Sequence, residues 1–132
     1  MFSAHVTLAL TAVILMGAGV VIAAALKKKR WWLKVHKSLA MTGALSATTT
    51  AVIAWFMVQS WQGTHLNGIH GYLGLATVAS EILAIFLGYG QFRYPSRRPT
   101  LRQVHRAAGF ATAGFILVTA LWGLSLAGFF MN

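Results

Sequence analysis

V-H-K-S-L-A-M-T-G-A-L-S-A-T-T-T-A-V-I-A-W, residues 35 to 55, is apolar enough to cross a bilayer and opens with a histidine. An α-helix repeats every 3.6 residues, so positions 4, 7, 11, 14 and 18 beyond His36 share its face. They are Ala40, Gly43, Ala47, Thr50 and Ala54, all small. Such a groove below a ligand-type side chain suits a large flat object lying against the helix. Three further hydrophobic stretches repeat the pattern. His5 heads Ala9, Ala12, Met16, Gly19 and Ala23; His70 heads Gly74, Thr77, Glu81, Ala84 and Gly88; His105 heads Gly109, Thr112, Ile116, Thr119 and Gly123. Small stripes also line ordinary transmembrane helix contacts. Four of them, each headed by a histidine near a helix start, ask for more than packing.

The composition around these stretches is that of a membrane protein. Of 132 residues 58% are hydrophobic, with mean hydropathy +0.69, more apolar surface than a soluble domain of this size could bury. Without cysteine there is no disulfide, thiolate metal site or covalent haem attachment. The sequence predicts an all-α membrane protein: one transmembrane domain over residues 1–132, with helices at about 3–26, 35–58, 69–90 and 104–130. A span needs about 20 apolar residues. No basic residue precedes the first segment and Lys27-Lys28-Lys29-Arg30 follows it, so it reads as a retained anchor and not a cleaved signal peptide. Pro95 and Pro99 are expected to stop any helix in the connection 91–103.

Charge sets the orientation. All eleven basic residues lie in the connections after the first and third segments or in the turns flanking them, and the opposite side has none. By the positive-inside rule those connections face the cytoplasm and both termini lie on the non-cytoplasmic side of the inner membrane. The net charge of +10 is then accounted for by topology and lipid contact, and nucleic acid is not an expected partner. An internal echo accompanies this. H-x-x-L-small-L occurs at His5 and His70, and Val-His-basic at His36 and His105, as if a two-helix hairpin were written twice, at spacings of 65 and 69 residues.

Alternate helices of a four-helix bundle with short connections lie diagonally across its core. His5 then faces His70 near the outer surface, and His36 faces His105 near the inner one. Two neutral imidazoles suit the axial positions of a low-spin haem iron. Structural zinc prefers four ligands, often thiolate, and fits poorly. The expectation is two bis-histidine b haems forming an electron path across the membrane.

These four histidines, one per helix in alternating topology and each followed by a small residue four positions on, resemble the cytochrome b561 family in its four-helix two-haem core, in a minimal prokaryotic-type form. The resemblance covers essentially the whole chain, without the family's extra flanking helices or fused domains. It implies electron transfer from a quinol or an ascorbate-like reductant to an acceptor or a partner redox protein. It leaves open whether the chain is an oxidoreductase itself or an electron carrier only. The competing readings are a haem-binding anchor subunit of a larger oxidoreductase and a non-redox four-helix transporter.

Other residues carry secondary expectations. Lys37 and Arg106, next to two of the histidines, are the best candidates to pair with haem propionates on the inner side, with Lys34 and Arg102 behind them. The outer side offers only neutral groups, Trp61, Gln62, Thr64, Asn67 and Tyr72. His65 reads as a solvated loop residue near the outer site, or as a proton acceptor there or a contact to a partner. Trp55 and Trp122 are candidates to cover the outer haem. Glu81, the only acid, lies on an inward stripe, where an ionised carboxylate is costly. It is expected to be neutral or bonded to a threonine of residues 48–50, and to serve either as a helix contact or in proton handling.

Overall fold

The computed structural model describes residues 1–61, 65–66 and 68–129. It contains four long helices: α1 (Phe2–Ala25), α2 (Trp32–Trp61), α3 (Ile69–Arg93) and α4 (Arg98–Leu126), with a 3-10 turn at Pro95–Arg97 leading into the last. Each is long and apolar enough to cross a membrane, and no strand occurs among the described residues. The chain is therefore a multi-pass membrane protein. Its outward faces carry large apolar side chains such as Leu45, Ile14 and Phe86, which in a bilayer meet lipid.

Several helix ends differ from the sequence reading, α3 for one running on to Arg93 past the expected residue 90. Pro99 does not stop a helix but begins one: α4 starts at Arg98, several residues before Val104. A proline in the first turn gives up an N–H that has no intrahelical partner anyway, and its fixed φ suits the helix. At the far end α4 closes at Leu126, short of the expected residue 130, in a turn with Gly128 at φ 81°. The helix α2 reaches past both expected ends, since Trp32 to Lys34 and Gln59 to Trp61 contain nothing that breaks a helix.

The helices pair as hairpins. α1 lies along α2 and α3 along α4; the two hairpins meet more lightly, through α1 with α4 and α2 with α3. This leaves α1 diagonal to α3 and α2 diagonal to α4. Every stripe position listed above is buried or half-buried, so the small faces point into the bundle. Halfway along, the core is Ala12, Ala47 and Ile116 with Thr77, Glu81 and Thr112. Buried hydroxyls bond to carbonyls one turn back, as Thr50 does to Ser46 (2.8 Å), Thr77 to Leu73 (2.9 Å) and Thr112 to Ala108 (2.8 Å). Ser46 instead donates across the hairpin to the Leu8 carbonyl (2.9 Å).

Small residues let the backbones approach. At Gly43 an added Cβ would lie 3.2 Å from the Met16 backbone nitrogen and 2.6 Å from Met16 Cγ. Gly43→Leu is expected to pry α1 from α2 and to cost about 1–3 kcal/mol as an overpacked contact. Thermal unfolding of the variant in detergent, followed by circular dichroism, checks it.

Candidate functional site

The four helix-borne histidines fall into two pairs across the diagonals. The His5 and His70 rings have centroids 6.2 Å apart with planes at 70°; the His36 and His105 rings are also 6.2 Å apart, with planes at 80°. A metal–imidazole nitrogen bond is about 2 Å, and the ring centre lies about 1 Å behind the nitrogen, so two imidazoles on opposite sides of one metal have centroids about 6 Å apart. Both pairs therefore stand at the separation a shared axial metal requires. Among the described residues no third histidine or carboxylate joins either pair. A metal held there must draw its remaining bonds from a non-protein group, as a porphyrin supplies four.

The second nitrogen of each ring points to backbone. His36 Nδ1 donates to the Gly19 carbonyl (2.9 Å), His105 Nδ1 to Ala84 (2.9 Å) and His5 Nδ1 to Thr50 (3.2 Å). A carbonyl can only accept, so Nδ1 carries the proton and Nε2 keeps its lone pair for the ring opposite. This is the second-shell arrangement that fixes tautomer and orientation in metal-binding histidines. His70 Nδ1 is buried without a hydrogen bond of good geometry, and the Thr119 carbonyl is the acceptor beside it.

These four contacts follow one rule. On every helix the acceptor carbonyl lies fourteen residues beyond the histidine: His5 and Gly19, His36 and Thr50, His70 and Ala84, His105 and Thr119. His5, His36 and His105 bond to the acceptor on the hairpin neighbour, and His70 lies beside its own without a bond. The offsets between hairpins are those of the sequence echo, 65 residues for α1 onto α3 and 69 for α2 onto α4. Fourteen residues are close to four turns, so the two ring pairs sit on one face at levels about 21 Å apart.

Glycines seat the rings and leave room beside them. A Cβ at Gly123 would lie 2.7 Å from His70 Cε1, and one at Gly88 would lie 3.0 Å from His105 Cε1. Gly74 and Gly109, one turn after His70 and His105, face open space instead, with nothing within 4 Å of an added Cβ. Around His36 and His105 this space widens into a cavity walled by all four helices, including Gly19, Ala40, Gly88 and Gly109. Met16, Glu81 and Thr112 line its deep end; Lys37, Phe92, Arg102 and Arg106 line its mouth. The paired rings have the chemistry of an axial imidazole set, and the cavity beside His36 and His105 offers room for a flat group there.

The surroundings of the two pairs differ. At the basic end Lys37 Nζ sits 4.2 Å over the Phe92 ring and 5.7 Å from that of Tyr89, and Arg98 reaches Phe92 from 5.9 Å. Lys37 and Arg106 share the cavity mouth, where an anion would find both. Trp32 packs 6.2 Å from His36. At the other end Trp61 and Tyr72 are exposed, and Gln62, Thr64 and Asn67 lie outside the described residues. His65 stacks on Trp55 at 3.6 Å with planes 6° apart, a contact the sequence did not suggest. Glu81 is 2% exposed; Thr48 Oγ1 donates to its Oε1 (3.0 Å), while Oε2 is buried without a partner.

Sequence reasoning found the histidines and the stripes but missed the carbonyl acceptors and the ring seats at Gly88 and Gly123. A backbone carbonyl leaves no mark in residue identity, so nothing in the sequence pointed to these acceptors.

The family model described as eukaryotic cytochrome b561 matches residues 1–131. No curated protein and no solved structure gives a match. A family match over essentially the entire length, on a chain whose four membrane helices each bring one inward histidine to a diagonal pair, settles the relationship: this protein belongs to the cytochrome b561 family.

Proposed function

We propose that the protein carries electrons across the inner membrane through two b haems, one held by His5 and His70 and the other by His36 and His105. Family membership implies haem b and transmembrane electron transfer. The observation that carries the finer reading is the repeated geometry of the two pairs, 6.2 Å apart with Nδ1 turned away to backbone. When bound, haem b supplies a one-electron couple at each level. His5, His70, His36 and His105 would hold the haem irons, and two imidazoles on each would leave no bond for oxygen, which suits electron transfer.

The distribution of the eleven basic residues supports, by the positive-inside rule, a His36–His105 end at the cytoplasmic face with both termini outside. Lys37 and Arg106 hold positive charge at the mouth of the inner cavity, where they would pair with propionates. The electron donor is a quinol or a small reductant, and the acceptor is a partner redox protein or a diffusible acceptor.

Purified protein is expected to show two haems b per chain by pyridine haemochrome, with sharp low-spin bands in the dithionite-reduced minus oxidised spectrum. One haem would favour an anchor subunit. A colourless protein, from cells that make haem, would overturn the reading.

A further inference from the structure

Glu81 is the only acidic residue in a chain of net charge +10, and its side chain is buried inside the bundle. Its Oε1 accepts from Thr48, but its Oε2 has neither donor nor acceptor among the described residues. A carboxyl in a membrane core is costly however it is protonated, and it persists where it has work to do. The repeat of the two hairpins supplies an internal comparison. By the offsets of 65 and 69 residues, Glu81 corresponds to Met16 and Thr48 to Leu117. The polar pair between α2 and α3 thus answers to an apolar pair of positions between α1 and α4. The fold fills that position with methionine in one half, so the acid in the other half is not there for packing.

Its position defines the work. Glu81 and Met16 line opposite walls of the deep end of the cavity around His36 and His105. Glu81 lies three residues below Ala84, the carbonyl that orients His105. We propose that Glu81 is the proton partner of the inner redox centre: when that centre gains an electron, the Glu81 carboxylate takes up one proton from water on the basic side, and it returns the proton when the electron leaves. This rests on the two-haem reading. The balance is one electron and one proton in, one electron and one proton out. The electron comes from the quinol or other reductant, and the proton from solvent through the open cavity. A haem has no N–H or O–H near its ring to satisfy Oε2, so a water or the proton itself must do so. One added negative charge inside a low-dielectric cavity favours uptake of one positive charge close by.

Other titratable or charged groups line the same cavity. Lys27 comes from the turn after α1, His36 and Lys37 from α2, and Tyr89 from α3; Arg98, Arg102, His105 and Arg106 come from α4. The lysines and arginines lie toward the mouth, and both histidines are engaged as ligands in this reading. Among the described residues Glu81 is the one group at the deep end that can exchange a proton.

The test is a potentiometric titration of the full-length, haem-loaded protein from mildly acid to alkaline pH. It is repeated on Glu81→Gln, which keeps the shape, and on Glu81→Met, which copies the related half. One of the two midpoints in the parent is expected to fall with pH by up to about 59 mV per unit, the one-electron equivalent of a tenfold change. In both variants that wave should flatten and lie above the parent at alkaline pH, while the other wave is unmoved. Redox-induced infrared difference spectra should show a protonated carboxyl band in the parent that both variants lack. Two flat waves in the parent, or a slope that survives both substitutions, would overturn the proposal and leave the two-haem reading standing. Loss of the inner haem from both variants would make Glu81 a structural support and overturn it too. A parent without haem would bring down the underlying reading instead.

Discussion

Alanine at His105 is expected to leave one haem b per chain in place of two. The ring of His36 would stand opposite a methyl group, with no second imidazole 6.2 Å away. The Ala84 carbonyl would lose the donor that now lies 2.9 Å from it. A porphyrin iron with one axial ligand in a widened, water-filled cavity is weakly held and no longer low-spin. The other centre should keep its spectrum and its midpoint, since it lies about 21 Å along the bundle. His105→Met should restore binding, with the midpoint moved upward, as replacing an axial imidazole by a thioether does. Haem quantitation and potentiometry on the purified variants check both statements. Retention of two low-spin haems by His105→Ala would refute the pairing of His36 with His105. Loss of both haems would mean that the two levels are not independent.

Valine at Gly123 is expected to empty the opposite end without unfolding the bundle. A Cβ there would meet His70 Cε1 at 2.7 Å and Nδ1 at 3.3 Å, closer than packed atoms tolerate. The ring cannot slide away freely, because its lone pair has to stay aimed at the centre it would share with His5. An overpacked contact of this kind costs about 1–3 kcal/mol. Taken from binding, that is about a fivefold to hundredfold weaker hold on the outer haem. Gly88→Ala, where the contact is 3.0 Å to His105, should act in the same direction at the inner site and more mildly. Gly114→Ala, which meets nothing within 4 Å, serves as the control. Titrating haem-depleted variants with haemin measures the affinities, and circular dichroism reports whether the helices persist. Unchanged outer haem affinity in Gly123→Val would show that the ring does not rest on this glycine.

What could be read from the sequence was whatever periodicity encodes. His36 and the small positions below it fall on one helical face, and burial of Gly43, Ala47 and Thr50 follows from that alone. The charge asymmetry is equally plain, because no basic residue interrupts the opposite side. The helix ends were harder. Pro99 carries two meanings, stop and start, and only the chain entering from the Pro95–Arg97 turn selects the second. The stacking of His65 on Trp55 joins residues ten apart, and Leu66 next to His65 adopts φ 56°, a conformation that few side chains signal. Glu81 was legible as an inward acid. That Thr48, and not Thr49 or Thr50, would bond to it depends on the rotation of α2 against α3.

Each ring pair takes one member from either hairpin, and the hairpins touch each other far less than their own helices do. Neither half of the chain thus owns a complete site. The two halves, made as separate polypeptides cut between α2 and α3, should fail to retain haem singly and should capture it when mixed. The prosthetic group would then act as a stoichiometric rivet, and haem supply in the cell would govern assembly of the protein as well as its colour.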